Sequence, residues 1–446
     1  MVVSVSFKES QRIKSIIARD KKVMLTSTKE AYSFVPSHGE GEFIYDIEGN
    51  KFVDFSSFIS VYNFGVGGNK EIRKAIKDQV NKLTHAASTD FYSEEQVLLA
   101  EEMLKLLPRG FGRFFFSNSG TEANEAAIKF SKLFTKRQYI MAFYNSFHGR
   151  TIGSLGLTSS KIVQRRGFGP FNASFHAPYA YCYRCPFGKE YPSCGLACVD
   201  YIKKYPLSRE VPPDEIAAII MEPVQGEGGY IVPPKDFVKE IRKLADDNGI
   251  LLIDDEVQAG YFRTGKFTAI SNFGVEPDIY SMAKAVGGGL PMGVTVTRRS
   301  LGDIPYGAHS NTFGGNLAAV AAARASLSYA KRNWRRIERG IESRSRLMLS
   351  RLNRMKDEYE IVGDVRGIGM MIGVELVKDK KSKEPAEEEQ ERILKECFSN
   401  NLVLLPAGVS SIRIIPPLEI SFESLRKGLD ILEDAISNAD KSLRSR

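Results

Sequence analysis

Short apolar runs alternate along the chain with turn residues and helix-period segments. Phe114–Phe116 is followed by S-N-S-G and then by T-E-A-N-E-A-A-I-K-F-S-K-L-F. Tyr139–Tyr144, Ile216–Met221 (I-A-A-I-I-M), Ile250–Ile253 and Val294–Val296 repeat the theme. Strands buried on both faces of a parallel sheet read as continuous apolar runs, and the helical stretches between them supply the crossovers. S-E-E-Q at Ser93–Gln96 fits a capping box. It opens a helix expected to carry Val97, Leu104 and Leu107 on one face and to stop at Pro108 and Gly110. The pattern predicts an α/β fold with a doubly wound sheet.

The pattern changes toward the C-terminus. From about Asn316 to about Asp357 the chain is helix-like with few breakers. Shorter strand-like pieces follow, M-M-I-G-V-E-L and S-I-R-I-I-P-P-L, and then helices to the end. A second, smaller α+β domain is expected there. No internal repeat or low-complexity linker marks the boundary.

Composition fits this frame. The 446 residues exceed one ordinary domain, and 43% apolar with 26% charged content is usual for a globular protein. No stretch approaches the ~18 uninterrupted apolar residues of a membrane span. Met1–Lys22 mixes charges among its apolar residues and has no signal-peptide core, so a cytoplasmic protein without membrane attachment is expected. The net charge of +8 is spread along the chain. The most basic tract, with Lys331, Arg332, Arg335 and Arg336, lies in a helix-like segment near Glu338. It reads as a solvated face and not as a nucleic-acid surface.

In an open α/β sheet, ligands bind beyond the carboxyl ends of the strands. Four such ends carry unusual residues. F-F-F-S-N-S-G-T-E-A-N-E at 114–125 turns from strand to helix near Gly120. The free N–H groups of a first helical turn make an anion site, and Thr121 adds a hydroxyl; an ordinary cap by Ser117, Asn118 or Ser119 is the plainer reading. N-S-F-H-G-R-T at 145–151 offers Phe147 to cover a flat ring and Arg150 to grip a carboxylate, or else a core Phe, a hydrogen-bonded His and a surface Arg. L-L-I-D-D-E-V-Q places Asp254, Asp255 and Glu256 at the end of an apolar run, where carboxylates are costly without a positive partner. Three clustered acids first suggest a divalent cation. Lys284 stands just ahead of G-G-G in S-M-A-K-A-V-G-G-G-L-P-M-G, where an amine open to a ligand could form a Schiff base.

Six motifs in order, S-G-T-E-A-N, F-H-G-R-T, E-P-V-Q-G-E-G-G, I-D-D-E-V-Q-A-G-x-x-R-T-G, A-K-A-V-G-G-G-L-P-M-G and S-N-T-F-G-G-N, resemble the class III (omega-type) aminotransferases. These are pyridoxal-phosphate enzymes of fold type I. The likeness runs from Y-D-I-E-G-N-K-F-V-D-F at 45–55 to R-I-I-P-P-L at 413–418, and Lys284 follows Asp255 by 29 positions, as in that family. It implies a large domain with a mostly parallel sheet over 66–325, a small domain over 326–446 and an N-terminal segment, 1–65, packing with the small one. It further implies that Lys284 binds the cofactor aldehyde as a Schiff base and then acts as the base. Asp255 would partner the pyridine nitrogen and not a metal, and Gln258 the phenolic oxygen. Phe147 would stack on the ring, Gly120 and Thr121 hold the phosphate, and Thr312 reach the phosphate of a neighbouring subunit. A homodimer with shared active sites follows. Arg150 would bind a substrate carboxylate, and Arg413 and Glu227 would form a pair that opens for the α-carboxylate of glutamate. Ile59 would line the entrance, and Asp90 would either meet a distal ammonium or serve as a helix-terminal acid.

The implied reaction moves an amino group from an ω-amino acid, such as 4-aminobutyrate or ornithine, to 2-oxoglutarate. A racemase or epimerase on the same scaffold is the alternative, since it needs the same lysine, acid and cofactor. A non-catalytic binding protein is opposed by the intact lysine, acid and phosphate loop. One segment departs from the common family pattern. Cys182, Cys185, Cys194 and Cys198 fall within 17 residues in Y-C-Y-R-C-P-F-G-K-E-Y-P-S-C-G-L-A-C-V-D-Y. The spacing admits structural zinc, two disulfides or free thiols.

Overall fold

The computed structural model describes residues 10–27 and 31–445. Residues 1–9 and 28–30 of the expected N-terminal segment lie outside them, as do the first positions of the stretch read for a signal peptide.

The apolar runs form one seven-stranded sheet. Its order is Phe111–Ser117, Gly293–Arg298, Ile279–Ala283, Leu251–Asp255, Ile216–Met221, Tyr139–Phe143 and Ser174–Ala177. Every residue of Ile216–Met221 and of Ile279–Ala283 is buried, the signature of central strands covered on both faces. Gly293–Arg298, which holds the run Val294–Val296, is antiparallel to both neighbours. The parallel reading fails for that strand alone, because it follows Ile279–Ala283 after only a short turn, and a parallel return needs a crossover. Helix Gly120–Thr135 lies on the sheet through Ala123, Ala126, Ala127, Ile128 and Phe130.

Helix Glu94–Leu104 starts as expected, with the Ser93 side chain accepting a hydrogen bond from the Gln96 N–H. Its buried face differs from the expectation. Leu99 and Met103, four apart, are buried, whereas Val97 is exposed and Leu107 lies beyond the helix end. The ion pairs of Arg324 with Glu95 and Glu102 fix that rotation against the long helix Leu317–Glu358.

Leu317–Glu358 spans 42 residues and runs unbroken through the expected boundary at 325/326. It leads into an antiparallel sheet ordered Val362–Ile368, Met371–Leu376, Ser411–Ile414 and Leu405–Ala407. A third sheet joins Pro36–Glu40, Phe43–Asp46 and Lys51–Asp54 to Leu402–Val403, so the N-terminal strands pair with a C-terminal one. Arg332 and Arg336 of the basic tract pair with Glu71 and Glu419 on the surface. Among the described residues no helix is long and apolar enough to cross a membrane.

Residues Ser57 to Ser60 make a left-handed turn, with φ between 43° and 63°. Such a conformation costs L-residues roughly 1–2 kcal/mol each. Asp54 Oδ1 accepts from Ser56 N at 2.7 Å and Ser57 N at 3.0 Å, and the fully buried Arg263 donates to Ser60 Oγ at 3.1 Å. Asn63 Oδ1 and the Pro416 carbonyl also accept from Arg263. These bonds hold the turn in place.

Candidate active site

Helix Gly120–Thr135 begins where strand Phe111–Ser117 ends. Of the three candidate caps, Ser119 is the one used, its Oγ accepting from Glu122 N at 3.2 Å. The N–H groups of Gly120 and Thr121 are thereby left without intrahelical partners at the positive end of the helix dipole. Gly120 packs on Val257, where a Cβ would stand 2.7 Å from Val257 Cγ1. The Thr121 hydroxyl is tied to Ser154 Oγ at 2.6 Å and Thr151 Oγ1 at 2.9 Å.

The loop after Tyr139–Phe143 brings in Phe147, His148, Gly149 and Arg150. Phe147 N donates to Glu222 Oε1 at 2.9 Å, and the Arg150 guanidinium stands 5.5 Å from the centre of the Phe147 ring. Gly149 sits at φ 140° against Thr121, where a Cβ would lie 2.1 Å from Oγ1. Buried Glu222 also accepts from Gly226 N at 2.8 Å. Burial pushes its carboxyl up to about 7, His148 opposes that shift and Asp255 adds to it.

Side chains alternate between the two faces at the end of Leu251–Asp255. Asp255 faces the loop just described. Its Oδ2 accepts from Asn124 Nδ2 at 2.8 Å and His148 Nδ1 at 2.7 Å, and its Oδ1 from Val257 N at 3.0 Å. Ser281 Oγ donates to Asn124 Oδ1 at 2.5 Å, which fixes the amide orientation. His148 is buried and its Nε2 has no partner. Asp254 and Glu256 point the other way into the core. Gln258 is buried, with Oε1 accepting from Tyr230 OH at 2.7 Å.

Lys284 follows strand Ile279–Ala283 directly, at φ 52°. Burial, then the charge of Arg413, lowers its amine to about 8, against the pull of Asp255, Glu222 and Glu227. Of the residues expected from the sequence, Gly120, Thr121, Phe147, Arg150, Asp255, Gln258 and Lys284 line one cavity of about 410 Å³. That is the size of a small-molecule site.

Arg413 and Glu227 meet beside it. Arg413 is 3% exposed; its Nη2 donates to Glu227 Oε2 at 2.6 Å, its Nε to the Pro406 carbonyl at 2.8 Å, and its Nη1 has no partner. Glu227 Oε1 accepts from Lys161 Nζ at 3.0 Å. Burial raises the Glu227 carboxyl, but Arg413 and Lys161 together hold it below its ordinary value.

Arg413 and Glu227 do not themselves line the cavity, and three more expected residues lie outside it. Thr312 is exposed. Ile59 is exposed on the left-handed turn, and it is Val61, two residues on, that lines the cavity. Asp90 is exposed and accepts from Thr89 Oγ1 at 2.6 Å. The sequence assigns no role to Asn124, Glu222 or Lys161, and to His148 only the plain one of a hydrogen-bonded side chain. His148, Asn124 and Glu222 stand inside motifs already singled out, where a buried polar residue beside a required acid was the available signal. Lys161 had no local signal.

The four clustered cysteines are free thiols around a void of about 20 Å³. Among the described residues no group of three or more His, Cys, Asp or Glu side chains is placed to hold a metal ion.

A sequence model of the family described as "Aminotransferase class-III" matches residues 25–436. The chain belongs to the class-III aminotransferases. Members of this family depend on pyridoxal phosphate, and the chain is an enzyme of that pyridoxal-phosphate-dependent family. The fold is that of the fold type I transaminases. This class-III chain is 38% identical over 432 residues to the leucine/methionine racemase of Thermococcus litoralis, covering 96% of itself and 97% of the relative. It is 34% identical to a probable 4-aminobutyrate aminotransferase of Bacillus subtilis, covering 89% of itself and 91% of the relative. Among solved structures it resembles the taurine:2-oxoglutarate aminotransferase of Bifidobacterium kashiwanohense in complex with pyridoxal phosphate and glutamate. The TM-score there is 0.89 at 28% identity, over 98% of this chain and 100% of the other.

Proposed function

We propose that this class-III enzyme is an aminotransferase that moves an amino group from an ω-amino acid, of the 4-aminobutyrate or ornithine type, to 2-oxoglutarate. Pyridoxal phosphate, when bound, supplies an aldehyde that condenses with amines and a ring that takes up the electron pair of the broken Cα–H bond. The cavity fits it. The partnerless N–H groups at Gly120 and Thr121 receive phosphate oxygens, and Phe147 covers one ring face. Tyr230 occupies Gln258 Oε1, which leaves Nε2 to donate to the phenolic oxygen. Asp255, steadied by Asn124 and His148, holds a proton on the pyridine nitrogen. Lys284 Nζ would bind the aldehyde, and its amine would move the proton at the substrate Cα. An amine lowered to about 8 is neutral often enough near neutral pH for both tasks. Thr312, exposed on its own chain, serves the phosphate of a second copy in a homodimer.

The observation that carries this reading is the pair of buried Arg413 with Glu227. A transaminase with an ω-amino acid donor must accept in turn a substrate end with an α-carboxylate and one without. With Glu227 on Arg413, the site suits the amine end of 4-aminobutyrate, whose carboxylate goes to Arg150. With Glu227 displaced, Arg413 takes the α-carboxylate of glutamate. The unpartnered Nη1 is a second arm for a bidentate grip. Isomerising one amino acid requires no such exchange.

Racemisation of an α-amino acid is the second reading, supported by the racemase from Thermococcus litoralis at 38% identity. Lys284 and Asp255 serve it unchanged; the proton returns to the opposite face of Cα. The test incubates the holoenzyme with 4-aminobutyrate, ornithine or L-leucine, with and without 2-oxoglutarate. Glutamate formed from an ω-amino donor is expected. D-Leucine formed without oxo acid, with no glutamate from any donor, would replace the first reading by the second.

A further inference from the structure

Glu227 is held between two cations, and only one of them belongs to the expected pair. Oε2 is on Arg413 Nη2 at 2.6 Å and Oε1 on Lys161 Nζ at 3.0 Å. The two cations differ in setting. The Arg413 side chain is 4% exposed and the Lys161 side chain 39%, with Glu227 between them at 22%. The carboxylate thus joins an interior guanidinium to an ammonium near the surface.

The backbone around Glu227 is fixed. Its carbonyl accepts from Gly408 N at 2.7 Å, and Gln225 and Ile231 exchange two bonds of 3.0 Å across the turn. A Cβ at Gly228 would stand 2.2 Å from the Asn145 carbonyl oxygen, so the chain there is packed against its neighbour. Lys161 is equally anchored: Ser159 N and Ser160 N both donate to the Ser146 carbonyl, at 2.8 and 3.0 Å. Any release of Arg413 is therefore a side-chain rotation of Glu227 between fixed points.

A carboxylate that is mostly buried does not leave one cation without another to receive it. We propose that Lys161 is the positioning residue that receives Glu227 when a substrate carboxylate takes Arg413. This rests on the reading that Arg413 binds a substrate carboxylate. In the closed arrangement Glu227 has two cations; in the open one it has Lys161 alone. Loss of Lys161 therefore penalises the open arrangement more, and carboxylate binding weakens. A lysine that merely latched the gate shut would have the opposite sign, because its removal would ease opening.

The test is a double-mutant cycle on the holoenzyme, titrating 2-oxoglutarate calorimetrically with no amino donor present. Lys161→Met is expected to weaken binding about tenfold, and Lys161→Arg to stay within about twofold of the parent. In a Glu227→Gln background, where no charge needs receiving, Lys161→Met should change binding by less than about twofold. Tighter binding in Lys161→Met, or the same tenfold loss in the Glu227→Gln background, would overturn the proposal. The second result would mean that Lys161 attracts anions without acting through Glu227. Failure of amino transfer with the cycle intact would sink the aminotransferase reading and leave the gate standing. A parent enzyme that binds no 2-oxoglutarate would remove both.

Discussion

His148 Nδ1 lies 2.7 Å from Asp255 Oδ2, joining residues 107 positions apart at the floor of the cavity. The carboxylate can only accept there, so the imidazole donates and its proton sits on Nδ1. Asp255→Asn removes the charge that keeps a ring nitrogen protonated and is expected to lower kcat by about 10³-fold. His148→Phe leaves that charge but frees its orientation, with an expected loss of about tenfold and a preserved fold. Steady-state kinetics on any substrate the parent turns over, with circular dichroism as the folding control, check both. Asp255→Asn within about tenfold of the parent would contradict the assigned role.

Asp254 and Glu256 are buried together in the core, and among the described residues neither has an ion-pair partner. Both Asp254 oxygens and Glu256 Oε2 lack a donor, and Glu256 Oε1 accepts from Ile270 N at 2.9 Å. Burial is the main cause that raises both, Asp254 far above the carboxylate range and Glu256 to about 7, so the pair holds a shared proton near neutrality. A carboxyl raised in the folded state stabilises most below its unfolded value near ~4, and that contribution is lost as pH rises through the folded value. Unfolding free energy should therefore fall from pH 5 to pH 9 as the pair loses its shared proton. Glu222, raised to about 7, adds to the fall. Lys284, lowered to about 8, opposes it only at higher pH. Asp254→Asn gives Glu256 an amide donor and should flatten the dependence. Urea unfolding of both proteins at pH 5, 7 and 9 tests this, and an equally steep loss in the variant would exclude the pair as its source.

How much of this was legible in the sequence depended on whether a residue's neighbours were local. Buried parallel strands announce themselves as apolar runs, so the sheet and its ligand-bearing ends could be placed; Lys284 and Asp255 were singled out at those ends by the resemblance of their motifs to the family. The antiparallel strand Gly293–Arg298 has the same apolar face pattern as its neighbours, and only the short turn before it betrays its direction. Partners from distant segments were harder to read: Lys161 on Glu227 and Arg263 under Ser57–Ser60 left no trace as pairs, and His148 on Asp255 showed only as a polar residue within its motif. The left-handed turn was hidden for another reason. Ser57, Phe58, Ile59 and Ser60 contain no glycine, and their conformation is imposed by tertiary bonds against local preference.

Arg263 tests that last point. It is fully buried without a carboxylate bonded to it, and Ser60, Asn63 and the carbonyls of Met370 and Pro416 take up its donors. Burial pulls its guanidinium down to about 10, so it remains charged at neutral pH. Arg263→Met leaves those acceptors unpaired and the turn unsupported. A loss of ~2–4 kcal/mol is expected, seen in a chain of this length as a drop of roughly 2–4 °C in the thermal midpoint. Amide exchange should quicken first at Phe58 and Ile59. Unchanged exchange there would show that the turn holds without the guanidinium.

The cysteines make a final, separable prediction. Burial, with the neighbouring thiols adding to it, raises Cys182, and burial pushes Cys198 up to about 11. Cys397 is fully buried on helix Glu387–Ser399, far from the cluster in sequence. The thiolate is the reactive form, so raised thiols react slowly even where a reagent can reach them. Native protein treated with an aromatic disulfide reagent near pH 7.5 should modify the cluster slowly and spare Cys397. Unfolding should then bring the total to five thiols per chain. Elemental analysis should find no stoichiometric zinc, because no group of three or more side chains converges on a point that could hold the ion among the described residues. One zinc per chain with four thiols silent until a chelator is added would show that the loop closes on a metal. Two thiols silent until a reductant is added would place a disulfide in it. Slow reaction of all four would leave the segment a packed turn, tied to the rest of the fold by Arg184 on Glu375 and the Lys383 carbonyl and by Tyr191 on Asp236.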